Sequence, residues 1–248
     1  MRLLLLSVLV ALPAFAQPAS AADVTTKLDE LWKTRDDAAS IKAIDEAITE
    51  GLKAFPDDFE VLWRASRMKW WVADGATTDT RLQRQVAKEG WTLAERAVKA
   101  KPDGMQGHYY VALNIGAYSQ AVGILKALGE GLEGKFNDEL EKARKADASF
   151  DRYGPVNAKG RYWWELPWPK RDLEKSRAEL KTVIEKHPEH LRAWLYLAET
   201  ELKDGKAKEA KTCVDKVLNG ADAYDPPEAR RIKKWGKVVS AEVEKELK

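Results

Sequence analysis

Apolar residues recur along this chain at intervals of three and four, the spacing of one helical face, with polar residues between them. Leu28, Leu31 and Trp32 predict a first amphipathic helix. Ile41, Ile44, Ile48 and Leu52 predict a second, broken at Phe55-Pro56-Asp57-Asp58. Phe59, Leu62, Trp63, Ser66 and Trp70 form a third stripe that ends at Asp74-Gly75. Thr80 to Ala100 reads as a long helix closed by Lys101-Pro102-Asp103-Gly104. Tyr109 to Gly116 predicts another, which Tyr118 to Leu128 continues or follows. A turn is expected over Gly129 to Gly134, with Asn137 capping a helix that runs to Ala146. A short helix lies within Gly154 to Trp168, stopped by Leu166-Pro167-Trp168-Pro169. Asp172 caps the helix that reaches His187-Pro188. Glu189 to Leu202 and Ala207 to Leu218 form a hairpin, and Pro226-Pro227 opens a basic, then mixed-charge, terminal helix. No segment alternates in the manner of a strand.

Helices in pairs direct attention to repeats. The 34-residue tetratricopeptide pattern is matched best from Leu191, with Trp194, Leu197 and Ala198 on a first helix and Ala210, Val214 and Val217 on its partner. Stretched units follow the same plan elsewhere: Trp63, Ser66, Arg67 and Trp70 face Ala87, Ala94 and Ala97, while Val156, Lys159, Gly160 and Trp163 begin a unit ending at Pro188. Each pair has an apolar face that only the next pair can cover. The expected fold is therefore all-α, an irregular tetratricopeptide-like helical-repeat solenoid over residues 22–248, with a C-terminal capping helix.

Composition adds a location and removes several functions. Arg2, the apolar run Leu3 to Phe15 and the small-x-small sites at Ala14-Phe15-Ala16 and Ala19-Ser20-Ala21 have the form of a secretory signal peptide over residues 1–21. No other run is long and apolar enough to cross a membrane, so a soluble periplasmic protein without a transmembrane anchor is expected. A formal charge of +2 over 248 residues supplies no general field for nucleic acid. The lone Cys213 shares a helical face with Ala210, Val214 and Val217 and is expected to be buried and inert. His108, His187 and His190 belong to no metal-binding or nucleophile motif, and Gly129-Glu130-Gly131-x-x-Gly134 lacks the Lys-Ser/Thr end of a phosphate loop. Neither a catalytic group, a metal nor a cofactor is expected.

The order Tyr109-Tyr110-x-Ala112-x-Asn114-x-Gly116, then Asp151-x-Tyr153-Gly154-Pro155, then Gly160-Arg161-Tyr162 with Leu166-Pro167, resembles the TRAP transporter T-component family. Pro188 and Leu197-Ala198-Glu199 continue it. The resemblance implies an exported, non-catalytic helical-repeat protein that accompanies the solute-binding subunit of an ATP-independent uptake system, and a homo-oligomer. Many members carry a lipid-anchored Cys near the start, which this chain lacks. The alternative is an envelope scaffold that binds another protein on its concave face.

Ten Trp are the unusual feature of the composition, and the candidate binding residues follow from them. Arg161-Tyr162-Trp163-Trp164-Glu165-Leu166-Pro167-Trp168-Pro169 is the densest cluster. Adjacent Trp163 and Trp164 point in different directions on a helix, one to the core and one to a groove or partner, and two Pro stiffen the presentation of Trp168. Trp70 sits at a packing position of its repeat, whereas Trp71 is one position out of phase and is expected to be exposed. Tyr110 and Asn114 share a face and offer polar groups either to a ligand head or to a neighbouring helix. Arg161 suits the carboxylate of a small organic acid, or equally a bridge to Glu165 four residues on.

Overall fold

The computed structural model describes residues 20–221 and 223–248. The expected leader over residues 1–21 thus falls almost wholly outside the described residues. Those described form twelve α-helices and no strand: α1 (Ala21–Trp32), α2 (Ala38–Ala54), α3 (Phe59–Trp71), α4 (Thr80–Ala100), α5 (Met105–Val122), α6 (Ile124–Gly129), α7 (Leu132–Ala146), α8 (Phe150–Glu165), α9 (Leu173–Lys186), α10 (Leu191–Lys203), α11 (Ala207–Asn219) and α12 (Pro226–Glu246). A wider, π-helical turn over Val72–Ala76 extends α3. Polar caps set the starts as their chemistry requires: Asp37, Asp58, Asp79, Asp172 and Asp225 each accept backbone N–H bonds from the first turn they precede. Pro226 and Pro227 then occupy the first turn of α12, where a missing N–H costs nothing.

The helices pack as hairpins, α1 with α2, α3 with α4, α5 with α7, α8 with α9 and α10 with α11, and α12 lies against α10 and α11. This is the all-α tetratricopeptide-like solenoid expected from the periodicity. Small residues permit the close crossings. A Cβ on Gly90 would collide with Asn114 Oδ1, and one on Gly160 would lie 2.8 Å from Leu180. Two local expectations are corrected. Asn137 does not cap α7 but sits in its second turn, where Nδ2 donates to the Glu133 carbonyl, because α7 already starts at Leu132 after Gly131 in the left-handed region. The helix through residues 154–168 is longer than expected, beginning at Phe150 with a left-handed turn over Asp151, Arg152 and Tyr153 (φ 50°, 55° and 63°).

The solenoid does not stay open. α12 returns to the first two hairpins and is fastened to them by side chains more than 150 residues away in sequence. Arg35, 2% exposed, donates to both oxygens of Asp225 at 2.7 and 2.6 Å, and its guanidinium lies 3.7 and 4.1 Å from the ring centres of Trp32 and Trp71, which meet edge to face. The Arg231 guanidinium lies over the Trp71 ring at 3.0 Å and donates to the Trp71 carbonyl. Asp74, in the turn that follows α3, accepts from Arg192 on α10 at 2.7 Å and from Arg231 at 3.3 Å, and Arg192 also pairs with Glu228 of α12. Trp71 is accordingly 1% exposed, which corrects the expectation that it faces solvent. The repeat pattern places it off the hairpin's own packing face, and a helix 160 residues further on covers that second face.

Removing one member of a buried ion cluster strands the others without water. Asp74→Ala leaves Arg192 and Arg231 short of a carboxylate and is expected to cost about 3–5 kcal/mol in urea unfolding. Asp36→Ala, which breaks the exposed Arg230–Asp36 pair of the same seam, is expected to cost under about 1 kcal/mol. Equal costs would show that the closure is not held by its buried charges.

Candidate functional site

Closure of the ring partly encloses a cavity of about 160 Å³, open on one side to solvent. Its wall is assembled from one face of each inner helix. From α5 come Tyr109, Leu113, Gly116, Ala117 and Gln120, which recur at helical spacing. From α8 come Asp151, Gly154, Ala158, Arg161 and Glu165 at the same spacing. Trp32 and Trp70 stand at one side, and Ile124, Leu128, Leu132 and Phe136 of α6 and α7 close the other. The walls are mostly apolar. Most of the charged groups fall in two sets, those of the latch and a second set of Glu133, Arg161 and Glu165 on α7 and α8.

Most of those charges neutralise one another. Arg161 donates to Glu165 at 2.8 Å and to Glu199, and its guanidinium covers the Trp164 ring at 4.0 Å. Glu133 accepts from Tyr162 at 2.9 Å and pairs with Lys170. Burial works against the charge of Glu228, but the attraction and hydrogen bond of Arg192, with Arg231 and Arg35 behind, hold its carboxyl down to about 2. Burial, with Arg152 nearby, pushes the His190 imidazole down to about 3, so His190 is neutral and caps α10 by accepting from the Ala193 N–H. Asp151 behaves in the opposite sense. It keeps accessible surface on the cavity wall, and the surrounding protein, by displacing bulk water, pushes its carboxyl up to about 6.

Of the residues singled out in the sequence, Arg161 is on the cavity wall. Its Glu165 bridge is formed, and with Glu199 on its other side it is not free to receive a carboxylate ligand. Trp164 lies behind it, half-buried between Arg161 and Lys203, its Nε1 donating to the Glu199 carbonyl at 3.1 Å. Trp163 is half-buried on the outer side against Tyr162, Lys159 and Lys175. Trp168 stands out from the turn after α8, 86% exposed. Tyr110 and Asn114 are core. Tyr110 stacks on Trp63 with ring centroids 6.0 Å apart. Asn114 Nδ2 donates to Ser66 Oγ and to the Tyr110 carbonyl, so it ties α3 to α5. Trp70, Tyr109 and Asp151 line the cavity without being candidates from the sequence, since no local pattern shows that a distant helix leaves their faces uncovered. Tyr109, Gly116, Asp151, Gly154, Arg161, Tyr162 and Leu166 do belong to the motif order read in the sequence, and they converge on this one space. Cys213 is buried as expected, its thiol pushed up to about 12 by desolvation.

Among the described residues, no group of three or more His, Cys, Asp and Glu side chains is placed to hold a metal ion. No helix among them is long and apolar enough to cross a membrane.

Comparison with known families and structures gives the fold a lineage. Residues 24–151, slightly more than half of the chain, match the family model described as regulator of microtubule dynamics protein 1-3. Residues 170–235 match a tetratricopeptide repeat model. A crystal structure of a thermophilic TPR protein from Thermus thermophilus is similar at a TM-score of 0.59 and 18% identity, over 85% of this chain and 99% of that one. Yeast Tom70 aligns at a TM-score of 0.45 and 14% identity over 89% of this chain and 47% of its own. YrrB, a TPR protein with an unusual peptide-binding site, aligns at 0.43 and 14% identity over 87% and 100%. A comparison with curated protein sequences gave no match.

The latch predicts how stability responds to acid. Glu228 and His190 are both harder to protonate folded than unfolded. The unfolded chain therefore takes up their protons first, and stability present at neutral pH is lost as pH falls, from about 6.5 to 3 for His190 and from about 4.5 to 2 for Glu228. Asp151 is easier to protonate folded, so it adds stability as pH falls from about 6 to 4 and offsets His190 there. Urea midpoints are expected to change little between about pH 6.5 and 4.5 and to drop steeply below about 4. A midpoint that holds between about pH 4 and 3 would contradict this assignment of charges.

Proposed function

The chain belongs to the regulator of microtubule dynamics protein 1-3 family, and from that premise we propose that it is a non-catalytic tetratricopeptide-like binding protein that holds a small organic molecule inside its closed ring. The observation that carries this reading is the mostly apolar cavity created by fastening α12 to the first hairpins. An open solenoid offers a groove to an extended chain, whereas a partly enclosed apolar space suits a compact ligand. Ligand pockets combine apolar walls with a few polar groups, and this one carries charged groups on the latch and on α8 between apolar stretches.

Gly116 provides the means to test it. A Cβ there meets only Phe136 Cε2, at 3.6 Å, so a side chain at this position of the cavity wall starts without a clash. Gly116→Phe is expected to fold. Native mass spectrometry of protein purified from its source cells is expected to show a bound organic molecule in the unaltered chain and at most about a tenth as much in the variant. Equal loading of both proteins would place the ligand elsewhere or show that none is held.

The outer surface supports a protein partner as a second element of the same role. Trp168, held out from the turn between α8 and α9 and flanked by Pro167 and Pro169, has the form of an aromatic anchor that loses little entropy on docking. We read the convergence of Tyr109, Gly116, Asp151, Gly154, Arg161 and Tyr162 on the cavity as support for a periplasmic accessory role in TRAP-type uptake, with a solute-binding protein docked at Trp168. The alternative occupant is another envelope protein, with the chain serving as a scaffold. Cross-linking in intact cells followed by mass spectrometry is expected to recover a solute-binding protein, with recovery reduced roughly tenfold or more by Trp168→Ala. Recovery of an envelope assembly instead would favour the scaffold.

A further inference from the structure

Among the described residues, Asp151 is the cavity-wall carboxylate without a hydrogen-bond or ion-pair partner. Arg35 is engaged with Asp225, Arg192 with Asp74 and Glu228, and Arg161 with Glu165 and Glu199. Arg152 has interactions of its own and stacks over the Tyr224 ring. Asp151 makes no hydrogen bond or ion pair through its side chain among the described residues. Two further acceptors on the same wall lack partners, Asn157 Oδ1 and Glu228 Oε2, both in side chains more than nine-tenths buried. The wall thus carries these unpartnered acceptors beside an unpartnered donor, Arg35 Nε, whose guanidinium is otherwise engaged by Asp225 and the Trp32 carbonyl.

The backbone holds Asp151 in this position at a cost. Asp151, Arg152 and Tyr153 form a left-handed turn of three consecutive non-glycine residues, a conformation that crowds Cβ against the following carbonyl at each of them. Pro155, lacking an N–H, then starts the regular part of α8. Gly154 lets the turn lie against α5, since a Cβ there would collide with the Tyr109 hydroxyl and sit 3.2 Å from Asp151 Cβ. Backbone strain and an uncompensated carboxylate at one point of a cavity wall both lower stability, and strain of this kind gathers at ligand sites.

We propose that Asp151 anchors an ammonium group, so that the cavity selects organic amines with an apolar body over the organic acids for which Arg161 was considered. The amine site rests on the reading of the cavity as a ligand site. An ammonium group placed there supplies the missing counter-charge, and its N–H bonds are within the chemistry of the unpartnered Asn157 and Glu228 oxygens. The Leu113, Ile124, Leu128 and Phe136 side of the space takes the hydrocarbon.

Octylamine, 1-octanol and octanoate share one apolar body and differ in the head group. Binding of each is read by tryptophan fluorescence, with Trp32 and Trp70 on the cavity wall as reporters. Octylamine is expected to bind roughly tenfold or more tightly than octanol, and octanoate roughly tenfold or more weakly than octylamine. Asp151→Asn is expected to keep octanol affinity, to lose the amine preference, and to raise the thermal midpoint at neutral pH because the desolvated charge is gone. That higher midpoint shows the variant is folded. Octanol binding that Gly116→Phe abolishes, with octylamine no tighter than octanol or with its preference intact in Asp151→Asn, would overturn the amine site and leave the cavity reading in place. Failure of all three probes to bind the unaltered chain would overturn both.

Discussion

Closure of the solenoid by buried arginine–carboxylate pairs is the constraint on which the cavity depends. Without Arg35–Asp225 and the Arg192–Asp74–Glu228–Arg231 cluster, α12 would cap only α10 and α11, and the inner faces of α1, α3 and α5 would line an open groove. Charges seldom add net stability when buried, because desolvation offsets most of their attraction. What they provide here is position. A guanidinium with two carboxylate partners and an aromatic face beside it has few alternative geometries, so the ends of the ring meet in one register.

Tryptophan is the second component of that closure. Trp32, Arg35, Trp71 and Arg231 form one cluster, with cation-to-ring distances of 3.7, 4.1 and 3.0 Å and the two indole rings edge to face. The flat rings cover the guanidinium faces while leaving their edges free for carboxylates, which satisfies a buried cation both ways. The same pairing recurs where Trp164 lies between Arg161 and Lys203. Several of the ten Trp therefore serve as partners for buried or half-buried cations as well as wedges between hairpins, which accounts for a number that packing alone would not require.

These devices set a rigid frame around a space that is less well satisfied than the rest of the molecule. Most inner polar groups are paired, whereas Asp151 sits on a left-handed turn without a partner among the described residues. Left-handed backbone, a place on the cavity wall and a carboxylate without a hydrogen-bond partner coincide at Asp151, and the proposed amine site rests on that coincidence. The short α6, between Gly123 and Gly131 in positive-φ conformations, completes the wall on the apolar side.

Helix positions, the Asp172 cap and the stacking of hairpins were legible in the sequence because each depends on residues three or four apart or on a few turn residues, whereas the cap read at Asn137 was not formed. Thr80–Ala100, Ala207–Asn219 and the Asp172 cap are examples. The salt bridge between Arg161 and Glu165 was legible for the same reason. The burial of Trp71, the place of Trp70 on the cavity wall and the isolation of Asp151 were not. Each is decided by which side chains arrive from far along the chain, or by which do not arrive, and helical periodicity records only the face a residue occupies on its own helix. The chain's local chemistry determined a series of hairpins, and the long-range pairing of buried charges decided that the series closes around a space.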